Sequence, residues 1–306
     1  MNVSLFITRV MNTHVLKISA LTLVRGRREH LINLMLSLDA QTRPPDELVI
    51  AWMQPEAHAS LPDVGFPVRH VFVDGEALLL ARARNAAVEA ASHDGLVFLD
   101  VDCIASPTLV ARYRQALVER AALYIGEVHY LAAGAVVRRP NGALDFTALA
   151  ARGERHPARP TIDEHEIRPE PDHGHLWGLS FALMKADHLR AGGMDEGYVG
   201  YGGEETDYAW RLESAGVALY WVGGAMAWHQ HHAVYAPPWP HFEAIIDNAR
   251  RFHARWGRWC MEYWLNQFRE AGAIRWSPGA SDIDVVRYPS VDDIERARLP
   301  ESARFG

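Results

Sequence analysis

Three stretches of this 306-residue sequence place side chains at spacings that can do chemistry. The densest is GYGGEETDYAWRL, where Glu204, Glu205 and Asp207 follow the Gly202-Gly203 pair directly. From Thr206 onward the pattern is helical, with Tyr208, Leu212 and Ala215 near one face, so the carboxylates fall in a first helical turn. The helix dipole favours acidic groups there, and they can cap free amides, but capping needs only one or two of them. A Gly-rich approach adds a loop that can move and a backbone that lets a ligand come close. Glu205 and Asp207 are therefore the candidates for acid–base work. Asp195 and Glu196, behind Gly192-Gly193, read as turn and cap residues.

The second stretch is GLVFLDVDC, an apolar strand that ends in Asp100 and Asp102. Desolvating two carboxylates at the end of a central strand is costly unless a cation meets them, and alternation puts both on one side. Hard oxygen ligands suit Mg²⁺ or Mn²⁺, ions that can bridge to a departing diphosphate. The third stretch, VALYWVGGAMAWHQHH, supplies His229, His231 and His232, of which one imidazole would complete a mixed shell with the aspartates. Arginines cluster at Arg25, Arg27 and Arg28 and again at Arg82 and Arg84. A guanidinium matches two phosphate oxygens at once, although each of these also reads as a solvated charge.

The elements that must position these groups alternate. Val15 to Val24 reads as a strand, followed by a helix with Leu31, Leu34, Met35 and Leu38 on one face. Glu47 to Trp52 and Val68 to Val73 read as further strands, and Ala77 to Ala91 as a strong helix. This order predicts a parallel sheet with helices on its faces and ligands at the carboxyl ends of the strands. Pro107 to Glu119 reads as a helix, and Leu123 to Val137 and His175 to Lys185 as strand-like. Arg138 to His175, rich in Pro, Arg, Glu and His, is expected to be a long surface insertion. Trp177 beyond it suits stacking on a sugar face and core packing equally. The aromatic helical run from His241 to Phe268 reads as packing surface.

With 49% hydrophobic and 23% charged residues the chain can bury a substantial core. A formal net charge of -7 argues against nucleic acid or anionic lipid as a general partner. Cys103 and Cys260 make neither a disulfide framework nor a thiolate cage, which points to a reducing, cytoplasmic setting, at most peripheral to a membrane. No apolar run suggests a membrane span. Residues 1–14 read as an extension without a clear cleavage site, and Met11 is an alternative start to Met1.

The GYGGEETDYAWRL stretch resembles the carboxyl-terminal motif of galactosyltransferase-type glycosyltransferases. Together with ARN at 83–85, DVD at 100–102 and TLVRGRREHLINLMLSLDAQTRPPDELVIAW, it resembles the metal-dependent GT-A class close to glycosyltransferase family 2. The resemblance implies an α/β GT-A fold: a Rossmann-like, mostly parallel sheet flanked by helices, with a carboxyl-terminal helical extension. It implies a nucleotide-sugar donor, UDP by the family's habit, an acceptor hydroxyl, and Mn²⁺ or Mg²⁺ as cofactor. By position, Tyr201 is then the lid aromatic and Glu205 the base, with Asp207 a rival because Glu stands where Asp is usual. Gly203 and Glu204 lie on the donor side. Thr22 and Arg25 line the nucleotide, and Asp74 substitutes for an acidic residue missing from Ala51-Trp52-Met53. Arg84 and Asn85 face the diphosphate. Asp102 touches the metal, Asp100 the ribose or sugar, and His229, or failing it His231, completes the shell. Residues 15–103 become the nucleotide-sugar half, 104–240 the acceptor and catalytic half with 138–175 as its insertion, and 241–306 the closing helices and tail. Inverting transfer is the implied reaction. A retaining transferase, a nucleotidyltransferase, a metal hydrolase and a non-catalytic sugar-nucleotide binder stay open as alternatives.

Overall fold

Ile18–Val24 forms strand β1, buried at every residue, as a largely apolar run must be when both faces of a sheet are covered. The computed structural model describes residues 15–305; the expected 1–14 extension and the question of its start lie outside the described residues. After β1 come helix α1 (Arg28–Asp39), β2 (Glu47–Trp52), β3 (Val68–Phe72), α2 (Leu80–Ala90) and β4 (Gly95–Leu99). Then follow β5 (Cys103–Ala105), α3 (Leu109–Glu119), β6 (Leu123–Ile125), β7 (Val128–Tyr130), α4 (Phe146–Arg152), β8 (Glu154–Arg155) and β9 (Ile167–Glu170). The chain continues through β10 (Ser180–Met184), α5 (Lys185–Arg190), α6 (Glu204–Ser214), β11 (Leu219–Val222) and β12 (Ala227–His229). It closes with α7 (Phe242–Trp256), α8 (Glu262–Glu270), β13 (Ile274–Arg275), β14 (Asp284–Val285) and α9 (Val291–Ala297).

The main sheet has eight strands in the order β3-β2-β1-β4-β10-β6-β11-β9. β1 to β4 run parallel, as do β6 and β11, whereas β10 lies antiparallel between β4 and β6. Two apolar clusters cover its faces, one built around Leu31, Leu34 and Leu38 of α1 and the other around Ala83 and Ala87 of α2 and Leu212 of α6. A smaller sheet, β5-β12-β7-β8, stands beside the end of β4. The closing helices have their own core around Trp239, Phe242 and Phe268.

The stretch 138–175 differs from the expected surface insertion. It contains α4, β8 and β9, and β9 pairs with β11 at the edge of the main sheet. Leu144, Leu149 and Ile162 are buried within it. Their wide spacing has neither the helical nor the strand period, so the segment's contribution to the core is not visible as a pattern.

Candidate active site

β4 ends at Leu99, and the chain turns through Asp100-Val101-Asp102 into β5. β12 pairs antiparallel with β5, with His229 opposite Cys103, so the last residue of β12 falls beside the residue that precedes β5. The Gln230 backbone N–H fixes this register by donating to the Asp102 carbonyl at 2.7 Å. Nε2 of His229 lies 3.5 Å, and Nε2 of His232 3.7 Å, from Asp102 Oδ2. The Arg27 guanidinium pairs with the same oxygen. Burial alone would raise the Asp102 carboxyl, but His229, Arg27 and His232 hold it well below the usual carboxylate range.

His232, and not His231, returns to Asp102. Strand pairing stops at His229, and Gln230 is anchored toward α1, where its side chain accepts from Asn33 at 2.7 Å and donates to the His30 carbonyl at 3.2 Å. Alternation therefore no longer governs the residues beyond, and the His231 carbonyl instead meets His30 Nε2 at 3.1 Å.

Asp102, His229 and His232 can each offer one ligand atom, all within 4.8 Å of one another. Asp102 Oδ1 is buried without a hydrogen-bond partner among the described residues, a costly condition that a cation would relieve. Burial, with Arg27 next, pushes the His232 ring down to about 4, so near neutrality it is the uncharged imidazole a metal needs. One carboxylate and two imidazoles fit Mn²⁺ better than Mg²⁺, which prefers oxygen ligands throughout.

Arg84 is the second centre. On α2, with 1% of its side chain exposed, it lies 3.0 Å from Asp100, 3.3 Å from Glu204 and 3.3 Å from Glu205. Three carboxylates outweigh its desolvation and hold its pKa up. The expectation that Arg84 faces a donor phosphate is corrected: its donors point inward to these acids. Glu204, 3% exposed, is likewise beneath the site surface and not on a donor-facing wall. Asp100 is pushed up by burial and by Asp102, against the pull of Arg84. Asn85 also turns away from the donor side. It donates to the Met194 carbonyl and accepts from the Met194 N–H, both at 2.9 Å, pinning the loop before α6.

Glu205 shares the first turn of α6 but keeps 29% of its side chain exposed. Its carboxyl rests against Gly178, where any side chain would strike both Glu205 and Arg84. Burial, then the Glu204 charge, pushes Glu205 up to about 8. Asp207 has a different fate. It is fully buried and accepts from Arg255 at 2.8 and 2.9 Å and from the Trp256 indole at 2.9 Å, so it ties α6 to α7 and offers nothing to a ligand.

Gly203, at φ 89°, is the residue before α6, a backbone angle that side chains disfavour. Much of the loop ahead of it is held by one side chain: the Asn248 amide donates to the carbonyls of Val199 at 3.1 Å and Gly202 at 2.8 Å and accepts from the Val199 N–H at 3.3 Å. Tyr201 stacks on His241, with ring centroids 4.6 Å apart, and leans on Trp264. Burial, followed by the charges of Glu205, Glu204, Asp100 and Asp102, pushes its phenol up. The loop aromatic thus stands within electrostatic reach of both acidic groups.

On the expected nucleotide side, exposed Arg25 reaches past the strand ends to the Glu76 carbonyl at 2.6 Å. Asp74 is exposed nearby, beyond edge strand β3. Thr22 does not line an open surface: it is fully buried in β1, its hydroxyl unpaired among the described residues. A pocket lined by Tyr130, Arg155, Arg159, Trp177 and Trp221 adjoins the site, with the Tyr130 ring 5.0 Å from that of His229. The Arg159 guanidinium covers one face of Trp177 at 3.2 Å from the ring centroid, so that face is closed to a sugar. Phe305 packs on Tyr130 and His156, with centroids 5.2 and 4.8 Å apart. Arg159 and Asn248 carry no motif of their own; the run of histidines pointed toward His232, and the arginine cluster after β1 pointed toward Arg27 as a phosphate group but not as a partner of Asp102.

A family model described as the N-terminal domain of galactosyltransferase matches residues 160–233, the segment that carries Glu205, His229 and His232. The validoxylamine A glucosyltransferase of Streptomyces hygroscopicus subsp. jinggangensis is 28% identical over 170 residues, covering 50% of this chain and 39% of the relative. Its counterpart from S. hygroscopicus subsp. limoneus is also 28% identical, with 50% and 36% covered. The chain therefore spans well under half the length of these curated relatives. Among solved structures, GalNAc-T7 with UDP, GalNAc and Mn²⁺ superposes with a TM-score of 0.52 at 15% identity, covering 85% of this chain and 55% of that one. TarS residues 1–349 from S. aureus gives a TM-score of 0.51 at 12% identity, with 83% and 72% covered. The chain has the GT-A fold, and part of its sequence is similar to glycosyltransferases.

Proposed function

We propose that this protein transfers a sugar from a nucleotide-diphosphate donor, a UDP-sugar, to an acceptor hydroxyl, with inversion at the anomeric carbon. One observation carries the reading: Arg84 ties Glu205 at 3.3 Å to Asp100 at 3.0 Å, two residues from the Asp102–His229–His232 cluster. A base and a cation site thus share one locale. The Mn²⁺ and UDP named with GalNAc-T7 support the choice of ion and donor.

In this reading residues 15–103 bind the nucleotide sugar, 104–240 supply the acceptor side and the base, and 241–305 brace the loop over both. Arg25 and Asp74, at the carboxyl ends of the parallel strands, meet the nucleotide. Asp102, His229 and His232 would hold Mn²⁺, which supplies positive charge against the diphosphate when bound. Glu205 accepts the acceptor proton while that oxygen bonds to the anomeric carbon and the bond to the diphosphate breaks on the opposite face. Arg84 fixes the direction of the Glu205 carboxylate, and Tyr201 keeps water from the reacting carbon. The buried free thiols Cys103 and Cys260 suit a reducing compartment, and the cytoplasm is the proposed location. No helix among the described residues is long and apolar enough to cross a membrane.

The test is a panel of nucleotide sugars with Mn²⁺, followed as release of nucleoside diphosphate. Release from a UDP-sugar that needs Mn²⁺ and is lost in Glu205→Gln supports the reading. Release unchanged in that variant would remove Glu205 as the base.

A further inference from the structure

Building on the metal-dependent reading above, we propose that Arg27 is an exchangeable counter-cation for Asp102. Its guanidinium holds the carboxylate until a divalent ion takes that oxygen, and is then released to the diphosphate of the donor.

Several features of the geometry converge on this. Arg27 pairs with Asp102 Oδ2, the oxygen toward which His229 and His232 also point. A guanidinium and a divalent ion on the same carboxylate repel each other, so binding of either weakens the hold of the other. Arg27 is free to leave. Its side chain is 37% exposed, against 6% for Asp102, and it has no other side-chain hydrogen bond among the described residues. It stands between β1 and α1 in the left-handed region, at φ 52° and ψ 40°, without capping the helix through its side chain. That conformation is uncommon for a residue with a Cβ, and here it aims a long cation across the strand ends where nucleotides bind in such sheets. Arg84 makes the contrast: 1% exposed and shared by three carboxylates, it is a fixed part of the fold.

Charge gives the released guanidinium a destination. The Arg27 guanidinium and the rings of His229 and His232 all converge on one carboxylate oxygen of Asp102, the imidazoles at 3.5 and 3.7 Å. A divalent ion adds positive charge to this neighbourhood, and an incoming diphosphate offsets it. Arg27 would therefore make metal and nucleotide binding cooperative, since each favours the arrangement that suits the other.

The experiment titrates Mn²⁺ into the whole protein without nucleotide, following free Mn²⁺ by electron paramagnetic resonance, and repeats it with UDP. Wild type is compared with Arg27→Gln, Arg27→Lys and Asp102→Asn, with thermal melts to show that each is folded. Arg27→Gln is expected to bind Mn²⁺ about tenfold more tightly than wild type when UDP is absent, the loss of one charge-assisted competitor. UDP should then improve Mn²⁺ affinity less in Arg27→Gln than in wild type, and Arg27→Lys should stay close to wild type. Equal Mn²⁺ affinity in wild type and Arg27→Gln overturns the proposal while leaving the metal site intact. Absence of Mn²⁺ binding in every variant, with and without UDP, overturns the metal reading and the proposal with it.

Discussion

Nε2 of His229 stands 3.5 Å from Oδ2 of Asp102 because β12 and β5 are paired with His229 opposite Cys103. Neither strand is longer than three residues. The site's geometry therefore depends on a short edge pairing, reinforced by the Gln230 N–H on the Asp102 carbonyl, and not on the main sheet directly. Glu205 reaches the same locale by another route, through Arg84.

Glu205 and Asp207 should separate cleanly. Glu205→Gln is expected to lower kcat by about 10²–10⁴ with donor affinity retained, as for loss of a general base. The base works ionised, so with the Glu205 carboxyl at about 8, wild-type kcat/KM should rise as pH increases through that value. Asp207→Asn should instead cost about 1–3 kcal/mol of stability through its Arg255 and Trp256 bonds, with kcat per folded molecule kept. Steady-state kinetics beside urea unfolding decides both.

Removing Arg84 leaves Asp100, Glu204 and Glu205 without their shared cation. Arg84→Met is expected to lose about 3–5 kcal/mol at neutral pH. The deficit should shrink toward pH ~5 as the uncompensated carboxyls take up protons. Urea midpoints at the two pH values measure it, and a deficit that ignores pH contradicts the account.

His188 is 3% exposed, with its ring nitrogen 2.8 Å from the Tyr208 hydroxyl. Burial, then Arg211 and Lys185, pushes it down to about 4 from an ordinary value of 6.5. The unfolded chain thus takes up the proton first. The contribution of neutral His188 is complete above about 6.5 and is lost as pH falls toward 4, at about 1.4 kcal/mol per unit. Chemical denaturation across this range should show a slope that is flatter in His188→Gln.

Asn248 holds the loop before α6 through backbone contacts at Val199 and Gly202. Asn248→Ala is expected to reduce local protection by about 1–3 kcal/mol. Amide exchange should quicken across residues 197–203 while the main sheet stays protected, and KM for the donor should rise as the loop aromatic Tyr201 loses its position.

The sequence made the sheet legible because β1, β2 and β4 are apolar runs bounded by turns and separated by amphipathic helices. The candidate groups Asp102, His229 and Glu205 stood out for a related reason: each sits where an apolar or Gly-rich run gives way to a charge. Orientation was not legible. Arg84 and Asn85 lie on a helix whose register against α6 and the Met194 loop decides that both face inward, and neighbouring residues do not encode that choice. The exchange of His232 for His231 has the same origin, since the pairing that gives alternation its meaning ends at His229. Likewise, Asn248 acts through backbone groups, which leave no pattern in side-chain chemistry.

The central claim, one pocket joining a cation site to a nucleotide-sugar site, is tested most directly by calorimetric titration of UDP into wild type and Asp102→Ala, each with and without Mn²⁺. The expected result is UDP binding in wild type that is strengthened by Mn²⁺ at least about tenfold, with that gain absent in Asp102→Ala. UDP binding of equal strength in all four titrations, or none in any of them, would contradict it.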